Sequence, residues 1–473
     1  MRTGATAESD ILILGAGLTG MSAASVLGDH AIVLEREDAP GGLVRTERFG
    51  EYWFDRVLHI LYFDDTDTEC RVRRLLGEDL VFCPPEAWVE TKLGTVRFPF
   101  QFHLDGLDKE TAVACLMELA ELTYRPPEGK AANFEEKLRQ MFGRTMCEVF
   151  YFPYNRKVWK RPLRHLVPSG FTWNISPGEW EKALRGLLIP ESRFASYNAD
   201  GWYPRPPEGA AVRGMEVLSR RLAREVPDLR LRHAVTKIDL DARTVTAQCN
   251  GEELRFRFME RCCSTIPLPE ALRICPQTPP RIRSALDGLT RNRVVMAAFS
   301  IRGPRPTDVG HWRYFADESL AFTRLIYPHR FDPLCAPPDG WGLMAEIVEP
   351  AEWPQPAPQE IFDRATRDIQ RCGRLPRGCE IVDRHLIVVD PGYAVFSLAN
   401  QEIINEARQF LESNGVTPLG RYGRWSYTSM AQVMRDGFRW GSRMSEVLSG
   451  SGGTGATEGQ YLPARQIAEE TGC

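Results

Sequence analysis

The sequence lacks the features of an exported, membrane-spanning or nucleic-acid-binding protein. Its 12 cysteines form no Cys-x-x-Cys pair and no compact framework, which favours a reduced, cytoplasmic compartment over disulfide formation. No run approaches the roughly 18 apolar residues of a membrane helix, and Met1-Arg2-Thr3-Gly4 is too polar for a signal peptide. A net charge of -4 gives no reason to expect nucleic acid or an anionic membrane as a partner.

What the sequence does contain is typical of a globular protein of two or three domains. It has 473 residues, 43% hydrophobic and 26% charged, enough to build more than one core. The arginine-rich stretch from Arg213 to Arg232 also carries Leu218, Leu222 and Val226 at four-residue intervals. This spacing predicts an amphipathic helix with a solvated basic face, not a nucleic-acid-binding surface.

A dinucleotide-binding turn is predicted near the N-terminus. Asp10 to Leu14 reads as a short buried strand, directly followed by Gly15-Ala16-Gly17-Leu18-Thr19-Gly20 and a helical stretch. Gly15 permits the tight turn, Gly17 lets the backbone approach a pyrophosphate, and Gly20 lets helix and strand pack closely. The helix N-terminus then offers N–H groups and partial positive charge to the phosphates.

Two features after the second strand favour FAD over NAD as the dinucleotide. The predicted strand Ala31–Leu34 ends in Glu35, 20 residues beyond Gly15, where a carboxylate can accept the ribose hydroxyls. A second glycine pair, Gly41-Gly42, lets the backbone approach the cofactor again. NAD enzymes do not usually need this second approach, so we expect FAD.

The GAGLTG turn, the Glu35 spacing and Gly41-Gly42-Leu43-Val44-Arg45 together resemble the FAD-binding fingerprint of the amine oxidase and protoporphyrinogen oxidase superfamily. Further segments resemble UDP-galactopyranose mutase and mutase-like flavoproteins. These segments run in family order from about residue 10 to residue 447. They include Asn133-Phe134-Glu135-Glu136, Pro153 to Trp159, Tyr197-Asn198-Ala199, Tyr203-Pro204, Cys263 to Leu268, His311 to Phe315, and Gly420 to Trp425.

The resemblance implies how FAD is held. It puts the backbone at Val235 against the adenine, His59 beside the isoalloxazine, and the N-terminus of a helix from Met430 to Met444 at the flavin pyrimidine ring, where it would stabilise negative charge on reduced flavin. The expected cofactor-binding residues are Gly15, Gly17, Leu18, Thr19, Gly20, Glu35, Arg36, Gly41, Gly42, Leu43, Val44, His59, Val235, Gly420, Arg421, Met430 and Ala431.

The resemblance also implies a substrate site for a nucleoside diphosphate. Arg324 matches an arginine that pairs with the diphosphate near the flavin, and Tyr393 and Tyr427 match tyrosines that hydrogen-bond it. Trp159 and Tyr154 match residues of the uridine-side cleft. A diphosphate suits a planar cationic fork and phenol donors. We therefore expect His59 and Arg324 to be catalytic, and no metal ion to be bound.

The predicted fold is α/β, with a discontinuous Rossmann-type FAD-binding domain, an inserted helical domain and a mixed-sheet substrate domain. The FAD-binding domain is predicted at 8–98, 205–275 and 385–447, the mostly helical insertion at 99–204, and the substrate-side sheet at 276–384. The Gly/Ser/Thr-rich tail at 448–473 is predicted to be flexible.

Three functions follow from these expectations. In the first, the enzyme acts on a nucleotide-linked sugar as a mutase does, with N5 of reduced flavin attacking the anomeric carbon. In the second, oxidised FAD removes a hydride from a small molecule, as in amine oxidases or protoporphyrinogen oxidases. In the third, the protein binds flavin and a partner without turnover. The expected partners are a nucleotide sugar or another small molecule, with a homodimer left open.

The sequence also departs from the mutase pattern at four places. Val57 and Leu58 stand where glycines usually precede the flavin-side histidine, and Tyr62 replaces the second histidine of that motif. The stretch 170–176 lacks the arginine of the mobile substrate loop, and Ala431 replaces an acidic residue. Losing one diphosphate arginine removes about 1.5–3 kcal/mol of charged hydrogen bonding, which disfavours UDP-galactose itself as the substrate.

Overall fold

The computed structural model describes residues 6–168, 176–189, 191–192, 194 and 200–450. The strands are β1 (Ala7–Leu14), β2 (Ala31–Leu34), β3 (Thr46–Phe49), β4 (Tyr52–Asp55), β5 (Leu80–Phe82), β6 (Ala87–Thr91), β7 (Gly94–Arg97), β8 (Trp202–Pro204), β9 (Asp228–Arg230), β10 (Ala234–Asp239), β11 (Thr244–Cys249), β12 (Glu252–Ser264), β13 (Arg291–Arg302), β14 (Trp312–Phe315), β15 (Arg324–Ile326), β16 (Gly340–Pro350), β17 (Glu380–Ala394) and β18 (Val416–Pro418).

The helices connect and cover these strands. They are α1 (Leu18–Leu27), α2 (Thr66–Leu76), α3 (Lys109–Tyr124), α4 (Phe134–Met146), α5 (Phe152–Trp159), α6 (Trp180–Leu188), α7 (Glu216–Ala223), α8 (Leu268–Arg273), α9 (Pro280–Ala285), α10 (Pro328–Phe331), α11 (Pro358–Arg371), α12 (Gln401–Ser413), α13 (Gly420–Gly423) and α14 (Met430–Leu448). A π-helical turn, Cys147–Tyr151, joins α4 to α5.

The first sheet has the order β10-β11-β12-β1-β2-β9, with β18 also paired to β12. β1 pairs in parallel with both β12 and β2. Ile11 and Ile13 pack on the side of α1, α7 and α14, whereas Leu12 and Leu14 pack on the other side, and all four are fully buried. Burial of both faces explains why this strand is continuously apolar.

The second sheet has the order β17-β13-β16-β15-β14-β6-β7. β13 and β16 are buried along almost their whole lengths. Val295, Ala297 and Phe299 contact the apolar side of α11, whereas the alternate residues Met296 and Ala298 belong to the core shared with α1 and α14. The sheet therefore separates an outer core from one that faces the first sheet.

The structure confirms the predicted α/β class and the elements around the N-terminal turn. β2 has the predicted bounds, and Leu218, Leu222 and Val226 are buried as the amphipathic pattern requires. β6 and β7 lie within the predicted segment 8–98, and most of β17 lies within 385–447, yet all three pair in the second sheet. The division into domains stays a prediction.

None of the helices in the described part of the chain combines the length and the apolar character that crossing a bilayer requires. Three sequence features fall outside the described residues: most of the stretch 170–176, the Tyr197-Asn198-Ala199 motif and nearly all of the predicted tail.

Candidate functional site

The first glycine turn has the shape that a dinucleotide phosphate needs. Gly15 has a φ of 103°, which an L-side chain rarely adopts. A Cβ at Gly20 would lie 2.1 Å from the carbonyl oxygen of Gly15, so only glycine allows α1 to pack this closely on the turn. A Cβ at Gly17 would meet no protein atom within 4 Å, so the space in front of this residue is open at the N-terminus of α1.

The second glycine pair lies directly beside the first turn. The N–H of Gly41 donates to the carbonyl of Ala16 at 2.8 Å, and Gly17 and Gly41 form an isolated β-bridge. Glu35 is held by two backbone donors: its Oε2 accepts from the Ala16 N–H at 2.7 Å and its Oε1 from the Glu37 N–H at 2.9 Å. These contacts bring both predicted glycine motifs and the predicted ribose acceptor together.

Residues from the C-terminal part of the chain complete this region. Gly420 has a φ of 76°, and a Cβ there would lie 2.5 Å from Oγ1 of Thr19. α13, which contains Arg421, therefore starts against the first turn of α1. α14 begins at Met430 behind a capping box formed by Ser429 and Gln432.

These features fit FAD. The open space at Gly17 suits a pyrophosphate at a helix N-terminus, and Glu35 suits an adenosine ribose. Leu18, Thr19, Leu43 and Val44 flank the two glycine motifs, and Val235 lies in β10 of the same sheet. Arg36 is the exception in orientation: its side chain is 70% exposed, and its Nε pairs with Glu37 at 3.1 Å. The roles of these residues remain predictions.

Burial and two arginines determine the protonation state of His59. Burial, together with the positive charges of Arg421 and Arg324, lowers the pKa of His59 to about 3. The ring is therefore neutral at physiological pH, and its Nδ1 is buried without a hydrogen-bond partner. Val57, Leu58 and His59 border a small cavity of about 20 Å³, large enough for one water molecule.

Three neighbouring strands place a tyrosine, an arginine and a glutamate in one row. Tyr314 of β14 is the register partner of Arg324 of β15, which is the partner of Glu346 of β16. Nε of Arg324 donates to Glu346 at 3.1 Å, and Nη2 donates to the other carboxylate oxygen. Glu346 is 1% exposed, so Arg324 neutralises a charge that would otherwise be costly to bury.

Tyrosine side chains adjoin this arginine. Nη2 of Arg324 also donates to the Tyr393 hydroxyl at 3.2 Å, and the ring of Tyr393 stacks on Tyr427 at 6.2 Å. The guanidinium carbon of Arg421 lies 4.4 Å from the ring centroid of Tyr427, a cation–π contact. Tyr154 meets Tyr314 edge to face at 5.4 Å. Burial raises the pKa of Tyr154, Tyr314 and Tyr393, so these phenols stay protonated and can donate.

The predicted substrate residues are thus close together, with one in a packing position. Trp159 is 4% exposed, its indole N–H donates to Asn155 at 3.1 Å, and its ring meets Tyr393 edge to face at 5.8 Å. It packs against Tyr393, and its contact with a nucleobase stays a prediction.

Sequence reasoning missed Tyr314 and Glu346. Tyr314 lies within the segment from His311 to Phe315 that resembles the mutase family, but the resemblance gives it no role. Glu346 interrupts the apolar run Gly342-Leu343-Met344-Ala345 to Val348. A carboxylate in such a strand has to be paired, and that signal could have indicated a partner for Arg324.

A comparison with protein families matches residues 18–390 to the family described as flavin containing amine oxidoreductase. The match covers well over half of the chain. The chain therefore belongs to this family and is an FAD-dependent enzyme.

Solved structures with the same fold include a reduced UDP-galactopyranose mutase, 22% identical, with a TM-score of 0.82 over 93% of this chain and 96% of that one. A cyclohexylamine oxidase from Brevibacterium oxydans IH-35A is 16% identical, with a TM-score of 0.63 over 93% and 99%. A putrescine oxidase bound to putrescine is 15% identical, with a TM-score of 0.59 over 93% and 100%.

Proposed function

We propose that this flavin containing amine oxidoreductase acts on a nucleotide-linked sugar with its FAD in the reduced state. The observation that carries the proposal is a pair of arginines on one tyrosine: Arg324 donates to the Tyr393 hydroxyl at 3.2 Å, and the guanidinium carbon of Arg421 lies 5.7 Å from the centroid of the same ring. Such a site recognises an anion that carries several hydrogen-bond acceptors, and a sugar diphosphate is an anion of this kind.

The charge of the site argues against a cationic substrate. A protonated amine would have to enter between two guanidinium groups, one of which is compensated by Glu346 and the other by no carboxylate among the contacts of the described residues. Burial is the main reason that the pKa of His59 is lowered, and the positive charges of the two arginines lower it further. Amine-type substrates would therefore be repelled where a diphosphate would be attracted.

The chain's own groups supply binding and orientation. Bound reduced FAD would supply the nucleophile, N5, for the anomeric carbon. Arg324, held rigid by Glu346, would contact the departing diphosphate, and the hydroxyls of Tyr393 and Tyr427 would donate to its oxygens. His59 stays neutral, so it adds no charge beside the flavin but offers a hydrogen-bonding ring nitrogen.

The similarity to a UDP-galactopyranose mutase over nearly the full length of both chains supports this proposal. The four departures from the mutase pattern favour a different nucleotide sugar. Val57 and Leu58 add bulk directly before His59, where the mutase pattern has glycines, which favours a sugar other than galactopyranose.

A second candidate is oxidation of a small molecule by hydride transfer to FAD. It is supported by the family and by the two amine oxidases with the same fold. The two arginines would then require an anionic substrate, such as a carboxylate, in place of a simple amine.

Positional isotope exchange distinguishes the two functions. UDP-, GDP- and dTDP-hexoses labelled with ¹⁸O in the anomeric C–O–P bridge are incubated anaerobically with the holoenzyme, with and without dithionite. We expect the label to move into non-bridging phosphate positions for at least one sugar, and only after reduction, since this requires cleavage of the anomeric C–O bond. Bleaching of oxidised FAD by a substrate without dithionite, and no exchange, would support hydride transfer instead.

A further inference from the structure

Lys157, in α5, is a buried lysine whose ammonium group donates to three backbone carbonyls. The residue is 4% exposed. Its Nζ donates to the carbonyl of Phe315 at 3.0 Å, to that of Asp317 at 2.9 Å and to that of Phe322 at 2.5 Å. An ammonium group carries three N–H donors, so each of them has an acceptor here. We name these three hydrogen bonds the Lys157 contact.

The three carbonyls belong to the end of β14 and to the connection between β14 and β15, residues 316–323. Phe315 is the last residue of β14, and Phe322 lies two residues before Arg324, the first residue of β15. The rings of Phe315 and Phe322 also meet edge to face at 4.9 Å. Lys157 therefore binds both ends of a connection that leads directly to Arg324.

The same helix carries Tyr154, three residues before Lys157 and on the same side of the helix. Tyr154 is half-buried, and its ring meets that of Tyr314 in β14 edge to face at 5.4 Å. Ladder pairing joins β14 to β15, whereas α5 lies outside the sheet. Lys157 joins it to the β14–β15 connection, and Nδ2 of Asn292 in β13 donates to its last two carbonyls at 2.8 and 3.0 Å.

The Lys157 contact provides a directional constraint that the apolar packing of α5 does not provide. Burial of apolar side chains is non-directional, whereas an N–H···O bond requires a narrow range of length and angle. Phe315 and Phe322 are buried, so loss of the ammonium would leave buried carbonyls without this donor. The ion pair of Arg156 with Glu318 also joins α5 to the connection, but it is half exposed at 3.5 Å and contributes little.

We propose that Lys157 is a positioning residue of the candidate substrate site, which joins α5 to the β14–β15 connection and thereby holds Tyr154 at the spacing from Tyr314 and Arg324 that a diphosphate ligand needs. The inference rests on the proposed function for its ligand, but the Lys157 contact itself can be tested without one. Without the ammonium, α5 and the connection would keep their apolar packing and lose the bonds that fix their relative position. Tyr154 would then lose its contribution to binding.

The test measures UDP affinity by isothermal titration calorimetry on purified holoproteins. Burial, together with the positive charge of Lys160, lowers the pKa of Lys157 to about 7. We therefore choose about pH 6, where the ammonium form with its three donors prevails. The variants are Lys157→Met, which removes the donors, Tyr154→Phe and the double variant. Arg305→Met is the matched control, because Arg305 donates to four carbonyls between residues 333 and 340, outside the candidate site.

We expect K157M and Y154F each to weaken UDP binding by about 3–10-fold, as the loss of one hydrogen bond to the ligand implies. The double variant should bind no more weakly than K157M, because Lys157 acts through Tyr154. R305M should match the wild type. An unchanged affinity in K157M, or losses that multiply in the double variant, would overturn the proposal.

Amide hydrogen exchange of the same holoproteins tests the Lys157 contact without a ligand. Within the connection, the N–H of Ala321 donates to Asp368 at 2.8 Å and that of Thr323 donates to the carbonyl of Glu346 at 2.7 Å. Peptides that cover residues 316–323 should exchange faster in K157M than in the wild type and R305M. Equal exchange in all three proteins would also overturn the proposal.

The two measurements distinguish this inference from the proposed function. If the wild type binds no UDP, the proposed ligand is wrong, and hydrogen exchange alone decides whether Lys157 holds the connection. If the wild type binds UDP and K157M binds it equally well, the proposed function stands and the role of Lys157 is refuted. If K157M does not fold, Lys157→Gln, which retains two N–H donors, replaces it in both measurements with the same expected direction.

Discussion

Arg324 shows how one residue can serve both the fold and the site. Two of its nitrogens bind the buried Glu346, and one of these also reaches Tyr393. Lysine keeps the charge but cannot offer this planar fork. We expect Arg324→Lys to weaken UDP binding by about 10–100-fold, equivalent to the loss of about 1.5–3 kcal/mol of charged hydrogen bonding, as measured by isothermal titration calorimetry.

Arg313→Lys provides the control for this prediction. Arg313 lies one residue before Tyr314 in β14 and pairs with the partly buried Glu90 in the same sheet, so its replacement costs a comparable ion pair outside the row of Tyr314, Arg324 and Glu346. UDP affinity should be unchanged in R313K. Equal affinities of R324K and the wild type would contradict the assignment of Arg324 to the ligand.

His59 gives a prediction for acid stability. Its pKa is lowered from 6.5 to about 3 in the folded chain, so below pH 6.5 the unfolded chain binds a proton that the folded chain does not. The contribution of His59 leaves the free energy of unfolding at its full value above pH 6.5. This free energy decreases as the pH falls towards 3, with a slope of up to about 1.4 kcal/mol per pH unit.

We expect His59→Asn to show a smaller loss of unfolding free energy than the wild type between about pH 7 and pH 4, as the linkage between protonation and folding requires. Urea unfolding at several pH values measures this. The exposed His165 serves as the control, and H165N should follow the wild-type slope. Parallel pH profiles for H59N and the wild type would show that His59 is not held neutral.

At the scale of elements, replacing each of the two glycines at the start of α1 by alanine should have a different effect. Gly17 faces open space, whereas Gly20 is against the Gly15 carbonyl. We expect Gly17→Ala to leave the stability of the flavin-free protein near that of the wild type but to abolish stoichiometric FAD. Gly20→Ala should destabilise the flavin-free protein by about 1–3 kcal/mol through overpacking.

The ratio of flavin absorbance to protein absorbance measures the bound FAD, and thermal unfolding of the flavin-free forms measures the stability. Full retention of FAD by G17A would mean that the pyrophosphate does not lie at this turn. An unaltered stability of G20A would mean that α1 and the glycine turn lie farther apart than they do in the structure.

The elements that could be predicted from sequence are those whose signal is local. β1, the glycine turn, α1 and β2 follow one another within 30 residues, and each has its own pattern of apolar and glycine residues. β6 and β7 could not be assigned in this way, because β6 pairs with β14, more than 200 positions away, and β7 joins the same sheet only through β6. A short alternating strand does not indicate which sheet it will join.

At the scale of the whole molecule, the site exists only because distant segments meet. Five separate stretches of the chain contribute the residues His59, Tyr154, Arg324, Tyr393 and Arg421. That these residues lie close together could be predicted only from the resemblance to a family. The interactions that shape them, such as the Arg324–Glu346 pair and the Arg324–Tyr393 hydrogen bond, depend on the order and register of strands in the second sheet. No local pattern encodes such contacts.

In the proposed function, reduced FAD takes part in the reaction without a net transfer of electrons. The most direct test reduces the holoenzyme anaerobically, removes the excess reductant, adds the panel of nucleotide hexoses and follows sugar isomers and the visible flavin band together. We expect many turnovers of at least one sugar while the flavin band stays bleached. Return of the oxidised band in proportion to product, or reduction of oxidised FAD by the sugar, would contradict it.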